Sequence, residues 1–388
     1  MPLRGESSQC SLTQRRSAVC GATQPSESAV EKESTSLERG VTALKMDERQ
    51  EQRRTNRVKK FGHLRGRALK YKSVSTTTAE RYLVLLERFD LYVLSVHQMD
   101  GEYLVPGEIM DGIVAGFFEE LFFDGGASHQ ASSTFAALGW RAPAMSRHGA
   151  VPMPRSRQSL AAFRQLDPGR TRMPLPPGVV SLYVEWFKKA DLFWPAVGVA
   201  LACCLYLRPK ELCELRWSQV HPPSSHVGMP SWSVLLHPEE LEVSSKTGRF
   251  NDTLAVDGHI GQLLIDALAR GKVTHSPGAR LIQVPQDKLA RLFTRAGHEL
   301  NLDVLGPPVL YQLRHAGASR DLVTGERNLM EVKRRGRWMS DKSVLRYTKG
   351  GRLAEQMARL PPSTAKLAVA AWENLNATLV PPSRCWRA

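Results

Sequence analysis

Four short stretches in the C-terminal half of the chain carry side chains suited to phosphate chemistry. They are LRPKEL at 207–212, SSKTGR at 244–249, YQLRH at 311–315 and GRWMSDKSVLRY at 336–347. Cleaving a phosphodiester without a metal requires positive charge at the non-bridging oxygens, a nucleophile and a proton donor for the leaving oxygen. Two guanidiniums can bind one phosphate bidentately, and a tyrosine phenol can attack it once a positively charged site favours its ionisation. The residue types therefore indicate phosphoryl transfer.

Each stretch also has the pattern of a defined local structure. Arg208 precedes a helix in which Pro209 occupies the first turn, where its missing N–H costs nothing. Tyr311 and Arg314 are three residues apart in a helical stretch and therefore lie on one face. Lys246 falls at the tip of a predicted hairpin. These helices and this hairpin must converge if the side chains act together.

The last stretch is predicted to form two successive helical segments, one bearing Trp338 and the other Tyr347. Ser340 or Asp341 is expected to cap the second segment, and Gly350 is expected to end it. The order of the four stretches, with nine residues from Trp338 to Tyr347, resembles the tyrosine recombinase (phage integrase) family. The resemblance covers roughly 75–355 and is clear from Leu205 onward.

The resemblance implies a role for each residue. It makes Tyr347 the nucleophile that forms a 3′-phosphotyrosyl link and Lys246 the general acid for the freed 5′-hydroxyl, with no cofactor and no metal. The implied catalytic residues are Arg208, Lys246, Tyr311, Arg314, Trp338 and Tyr347, and the implied supporting residues are Glu211 and His315.

One residue departs from the family pattern, and several have a purely structural alternative. The family usually has His or Lys at the position of Tyr311, and a tyrosine is a poor proton acceptor at neutral pH. Lys246 has a rival in Arg249 within the same turn, and either can be a solvated turn residue. Trp338 and Tyr347 can also be packing residues. A catalytically degenerate, recombinase-derived DNA-binding protein therefore stays open beside the active enzyme, as does a type IB topoisomerase.

The periodicity of the sequence predicts a mainly α fold with a small antiparallel β-sheet (α+β). The predicted strands lie near 232–236, 241–246 and 253–256, and helical patterns fill most of the rest. The predicted order is a polar disordered extension (1–52), a basic arm (53–72), a helical core-binding domain (73–166), a linker (167–178), an integrase-like catalytic domain (179–358) and a C-terminal tail (359–388). In the tail we expect a helix over 363–379, with an apolar stripe of Leu367, Ala370, Ala371 and Leu375 that docks on a neighbouring protomer or in cis.

The charge balance predicts the kind of partner. The 388 residues contain 53 Lys and Arg against 38 Asp and Glu, a net charge of +15, which favours double-stranded DNA. The longest apolar run, 194–207, is too short for a membrane span, and the N-terminus lacks the apolar segment of a secretory signal. We therefore expect an intracellular, DNA-associated protein (nuclear if eukaryotic). The family resemblance implies that it assembles as a homo-oligomer, a tetramer on DNA.

Overall fold

The computed structural model describes residues 73–99, 107–169, 173–241, 245, 248–348 and 350–381, together with 51, 54, 55, 58 and 59. Contacts group the chain into unit 1, Met1–Gly169, and unit 2, Arg170–Ala388. The predicted linker 167–178 spans this boundary, but Pro177 and Gly178 already form the first turn of a helix in unit 2. The predicted extension 1–52 and basic arm 53–72 lie almost wholly outside the described residues.

The described part of unit 1 is helical and has its own core. Its helices are α1 (Thr76–His97), α2 (Gly107–Phe123), α3 (Ser128–Arg141) and α4 (Pro154–Leu166). Phe89 of α1 meets Phe117 of α2 edge to face, with ring centroids 5.3 Å apart. The buried Asp111 carboxylate accepts the backbone N–H groups of Arg155 and Ser156, each at 2.8 Å. Because those N–H groups have no partner within the helix, Asp111 fixes the start of α4 against α2.

Unit 2 carries every candidate site residue. Its helices are α5 (Pro177–Lys189), α6 (Phe193–Cys204), α7 (Pro209–Glu214), α8 (Gly258–Thr274), α9 (Gln286–Glu299), α10 (Tyr311–Thr324), α11 (Leu329–Arg335), α12 (Asp341–Val344), α13 (Gly350–Ala358), α14 (Pro362–Glu373) and α15 (Leu375–Leu379). Its strands are β1 (Val220–His221), β2 (Trp232–Leu236) and β3 (Asp252–Val256). Unit 2 is thus mainly α with a small antiparallel sheet, as predicted.

The sheet differs in detail from the prediction. Its strand order is β1-β2-β3, and β2 pairs directly with β3, with Trp232 opposite Val256 and Leu236 opposite Asp252. Of the predicted strand 241–246, only Leu241 and Ser245 are described: Leu241 ends a 3₁₀ turn, Glu239–Leu241, and Ser245 is not in a strand, while 242–244 and 246 lie outside the described residues. β1 has only two residues, too few for an alternating pattern to reveal it.

Helix α6 is the centre of the core of unit 2 and sets the position of α10. All but one of its residues are buried, as expected for an apolar helix surrounded by other elements. Gly317 of α10 faces the carbonyl of Cys203, and a Cβ at this glycine would collide with that oxygen. The two helices therefore approach closely only because residue 317 has no side chain. This approach brings Arg314, one turn earlier in α10, beside the end of α6.

The tail folds onto unit 2 of the same chain. The predicted helix 363–379 is two helices, α14 and α15, interrupted at Asn374. The buried positions of α14 and α15 are Thr364, Ala368, Ala371, Leu375 and Leu379. Of the predicted stripe, Ala371 and Leu375 are buried, whereas Leu367 and Ala370 are exposed. The tail packs mainly against α5, and the chain shows the cis arrangement of the two that the sequence left open.

This packing predicts a stability difference between two leucines of the tail. Leu375 is 2% exposed within the main core, whereas Leu367 is 59% exposed. Leu375→Ala should lower the free energy of unfolding by about 2–5 kcal/mol, since it removes buried methyl groups and leaves a cavity. Leu367→Ala should change it by less than about 0.5 kcal/mol. Urea unfolding of the full chain measures both, and equal losses would contradict the cis docking.

Within the described residues, no helix is both long and apolar enough to cross a membrane.

Candidate active site

Arg208 and Glu211 form the first part of the site at the start of α7. Arg208 is the N-cap residue and Pro209 follows it in the first turn. One Glu211 oxygen accepts the backbone N–H of Arg208 at 2.7 Å, and the other accepts its Nη1 at 2.5 Å. Burial opposes ionisation of Glu211, but Arg337 and Arg208 outweigh it and lower the pKa of this carboxyl. Glu211 is therefore an ionised carboxylate, and it holds the Arg208 side chain, which is 19% exposed.

Arg314 lies in the first turn of α10 and is buried, with 1% exposure. Its Nη1 donates to the carbonyl of Tyr206 and its Nη2 to the carbonyl of Gly336. A guanidinium has five N–H donors, so others remain besides the two bonded to these carbonyls. Nε is among them: it is buried and has no hydrogen-bond partner. Burial, and then the charges of Arg337 and Arg208, lower the Arg314 pKa to about 10, which still leaves it charged at neutral pH.

Trp338 and Tyr347 cover Arg314. The Arg314 Cζ lies 4.6 Å from the centre of the Trp338 ring, and the Trp338 and Tyr347 rings are 4.7 Å apart. Gly336 permits this fold, because a Cβ there would collide with the Trp338 ring. Tyr347 is 4% exposed; burial raises its pKa to about 12, although the charge of Arg314 lowers it. The phenol is therefore protonated at neutral pH.

His315 and Tyr311 complete the aromatic side of the site. The ring centre of His315 is 5.0 Å from that of Tyr347 and 5.2 Å from that of Tyr311. Tyr311 begins α10 and is half-buried. The structure thus brings together Tyr311, His315 and Tyr347 with Arg314.

The local structure around Tyr347 differs from the prediction. Trp338 lies beyond the end of α11 at Arg335 and not on a helix, contrary to expectation, and the second expected helical segment is a single turn, α12, followed by a 3₁₀ turn over Leu345–Tyr347. Ser340 is the N-cap residue of α12, as expected. Gly350 begins α13 instead of ending the segment that carries Tyr347, because a further amphipathic helix follows directly.

Lys246 lies outside the described residues, so the structure does not locate the proposed general acid. Its rival Arg249 is described and exposed, and its Nη2 lies 2.8 Å from the Sδ of Met339. The Ser245 N–H donates to the Arg249 carbonyl at 2.8 Å, and Gly248 has a left-handed φ of +73°. Arg249 therefore lies beside Met339, in the segment that follows Trp338.

Sequence reasoning missed Arg337. It is buried, and its Nη2 donates to Glu211 Oε2 at 2.6 Å. Its signal was hidden because it follows Lys333, Arg334 and Arg335, a run typical of a solvated basic surface. His237 was missed as well; its Nε2 lies 3.6 Å from Glu211 Oε1. Neither position has a local pattern that distinguishes it from surface residues.

The site is rich in cations. Arg208 and Arg337 both bind the Glu211 carboxylate, which is the only described carboxylate hydrogen-bonded to either of them or to Arg314. The Arg314 guanidinium interacts electrostatically with all three groups. Buried charges require partners, so the arrangement favours binding of an anion. Among the described residues, no group of three or more His, Cys, Asp or Glu side chains could hold a metal ion.

The chain is similar in fold to solved structures of site-specific recombinases, at low sequence identity. No protein-family model and no curated protein matches the sequence. Among solved structures, the XerH site-specific recombinase bound to its palindromic difH substrate, in a post-cleavage complex, shares 12% identity over 72% of this chain and 78% of that one, with a TM-score of 0.44. The pre-cleavage complex of XerH with difH gives 12% and 0.42 over the same shares. The XerA recombinase gives 15% identity over 76% of this chain and 95% of that one, with a TM-score of 0.34. Structural similarity at these TM-scores carries no argument about activity, and the side chains of the site provide that argument instead.

Proposed function

We propose that the chain is a tyrosine recombinase, a metal- and ATP-independent enzyme that cleaves and rejoins DNA through a 3′-phosphotyrosyl intermediate. One observation carries the proposal: Arg208 and Arg337 share the single Glu211 carboxylate, and the Arg314 guanidinium, which interacts electrostatically with both arginines and with Tyr347, lies beneath the Trp338 ring that packs on Tyr347. A phosphodiester carries one negative charge, which rises in the pentacoordinate transition state. The positive excess at the site therefore matches the charge that develops during cleavage.

Cleavage is a single displacement at phosphorus. The Tyr347 oxygen attacks the phosphorus, the bond from phosphorus to the 5′ oxygen breaks, and a tyrosyl 3′-phosphate ester forms. The phenol proton goes to His315, because Tyr311 is a poor proton acceptor at neutral pH and the His315 ring contacts that of Tyr347. The leaving 5′ oxygen takes a proton from Lys246. Rejoining reverses each transfer and needs no energy source, since the protein–DNA ester conserves the bond.

Access to the site requires a movement. Arg314 is 1% exposed beneath the Trp338 ring, and Tyr347 is 4% exposed. For a DNA phosphate to contact both, the segment 338–347 must shift away from Arg314. We assign this shift to DNA binding, with Trp338 then donating its indole N–H to the phosphate.

The proposed chemistry defines the substrate and the assembly that acts on it. The substrate is double-stranded DNA, which the net charge of +15 favours. Exchange between two duplexes requires four strand cleavages, and each protomer has one Tyr347, so the active assembly is a tetramer on DNA. The protein acts inside the cell, in the nucleus if the source is eukaryotic.

A second candidate is a recombinase-derived DNA-binding protein without catalysis. Tyr311 favours it, because this residue replaces the usual His or Lys of the family, and so does the burial of Tyr347. A type IB topoisomerase shares the proposed chemistry and differs in needing no defined site. Relaxation of supercoiled DNA without any specific sequence would identify it.

Covalent capture on random DNA tests the proposal and finds the target sequence in the same experiment. The protein is incubated with a library of nicked duplexes of random sequence, in which cleavage near a nick releases a short strand and prevents rejoining. We expect a denaturant-resistant complex enriched in one sequence, formed with a chelator present and without ATP. Retention of DNA only under native conditions would instead establish the binding protein.

A further inference from the structure

Arg337 has an unusual backbone conformation for its residue type. Helix α11 ends at Arg335, and the N–H groups of Arg337 and Trp338 donate to the carbonyls of Arg334 and Lys333, at 3.0 and 3.1 Å. This is a Schellman motif, whose left-handed position usually holds glycine. Arg337 occupies that position with a φ of +55°. An L-residue there costs about 1–2 kcal/mol, so a contact of its side chain must offset the strain.

The side chain of Arg337 makes that contact with Glu211. Its guanidinium is 4% exposed, and Nη2 donates to Glu211 Oε2 at 2.6 Å, while Arg208 holds Oε1 at 2.5 Å. One carboxylate is thus shared by two arginines on opposite oxygens. Without Arg337, Glu211 and Arg208 would form a neutral pair, and Arg208 would attract a phosphate weakly.

We propose that Arg337 is a positioning residue that acts through Glu211: it offsets the carboxylate charge, so that Arg208 stays both oriented and net positive toward a phosphate. This inference rests on the proposed function of the site. Burial and the charge of Arg208 lower the Arg337 pKa, while Glu211 opposes them, so the three groups are electrostatically linked. The remaining Arg337 donors, Nε and Nη1, are buried without a hydrogen-bond partner.

A double-mutant cycle separates this role from a purely structural one. Arg337→Gly suits the left-handed backbone, so the variant should fold, which circular dichroism checks. Inorganic phosphate can reach Arg208 in the free protein, because that side chain is 19% exposed and needs no shift of segment 338–347. The affinity for inorganic phosphate, followed through the ³¹P line width, should fall about tenfold in Arg337→Gly. Arg291→Gln is the matched control: it also removes one positive charge, from an exposed arginine, and should change affinity by less than about twofold.

The decisive arm adds Glu211→Gln to Arg337→Gly. If Arg337 acts by offsetting Glu211, the double variant should bind phosphate more tightly than Arg337→Gly alone, recovering most of the loss. A further loss in the double variant, or an affinity in Arg337→Gly equal to that of Arg291→Gln, would overturn the inference. The measurement needs no DNA site and no covalent chemistry. Absence of a covalent complex in the wild-type protein would therefore contradict the proposed function, but the phosphate affinities of the double-mutant cycle could still be measured and compared.

Discussion

Tyr347→Phe should abolish the covalent protein–DNA complex while leaving the fold and the affinity for DNA within about twofold of wild type. The substitution removes only the nucleophilic oxygen, and the ring still packs against Trp338 and His315. The measurement is gel electrophoresis under denaturing conditions after incubation with the captured DNA site.

Tyr183→Phe is the matched control for this result. Tyr183 is also a buried tyrosine of unit 2, stacked on Phe293 with ring centroids 3.9 Å apart. It therefore tests the same chemical change outside the site, and the complex should persist. A covalent complex of undiminished yield in Tyr347→Phe would mean that another residue is the nucleophile.

Arg208→Ala should slow covalent complex formation by about a hundred- to a thousandfold, and weaken DNA binding far less. The guanidinium stabilises charge that rises only in the transition state, so its loss affects the rate more than the affinity. Lys210→Ala is the control, because Lys210 lies on the same helix, is 69% exposed and pairs with Glu214 at 3.7 Å. Single-turnover rates on the captured site compare the two, and equal rates would exclude Arg208 from the chemistry.

Arg314 should give an equally large effect, but its variant must be chosen for folding. Its guanidinium binds the carbonyls of Tyr206 and Gly336 in the core, so Arg314→Ala would leave both without their donor. Arg314→Lys keeps the charge and loses the planar fork that binds phosphate bidentately. We expect a folded protein whose rate falls by about a hundredfold or more. A wild-type rate in this variant would show that charge alone suffices at residue 314.

The helices of unit 2 were predictable where their ends carry local signals. The helical stretch predicted to carry Tyr311 and Arg314 is α10, 311–324, which Pro307 and Pro308 precede and which Gly325 ends in a left-handed conformation with a φ of +70°. Arg208 was predicted at a helix start because Pro209 follows an apolar run. Arg208 could be identified as a candidate site residue because it interrupts the apolar run 194–207.

The features that could not be predicted from the sequence depend on contacts between residues that are distant along the chain. Nothing local distinguishes the buried Arg337 from Arg334, which is exposed on the preceding helix. The pairing of β2 with β3 could not be predicted, because the two strands pair across a connection of fifteen residues, 237–251, that a local pattern cannot assess. The apolar stripe of the tail was misassigned in part, since Leu367 and Leu375 look alike in sequence and only the packing on α5 separates them.

The most direct test of the account identifies the amino acid that carries the DNA. The captured complex is digested with nuclease and protease, and the remaining nucleotide is located by mass spectrometry. We predict a single modified peptide with the nucleotide joined through its 3′-phosphate to the oxygen of Tyr347. A nucleotide attached to any other residue, or through a 5′-phosphate, would contradict the proposed mechanism.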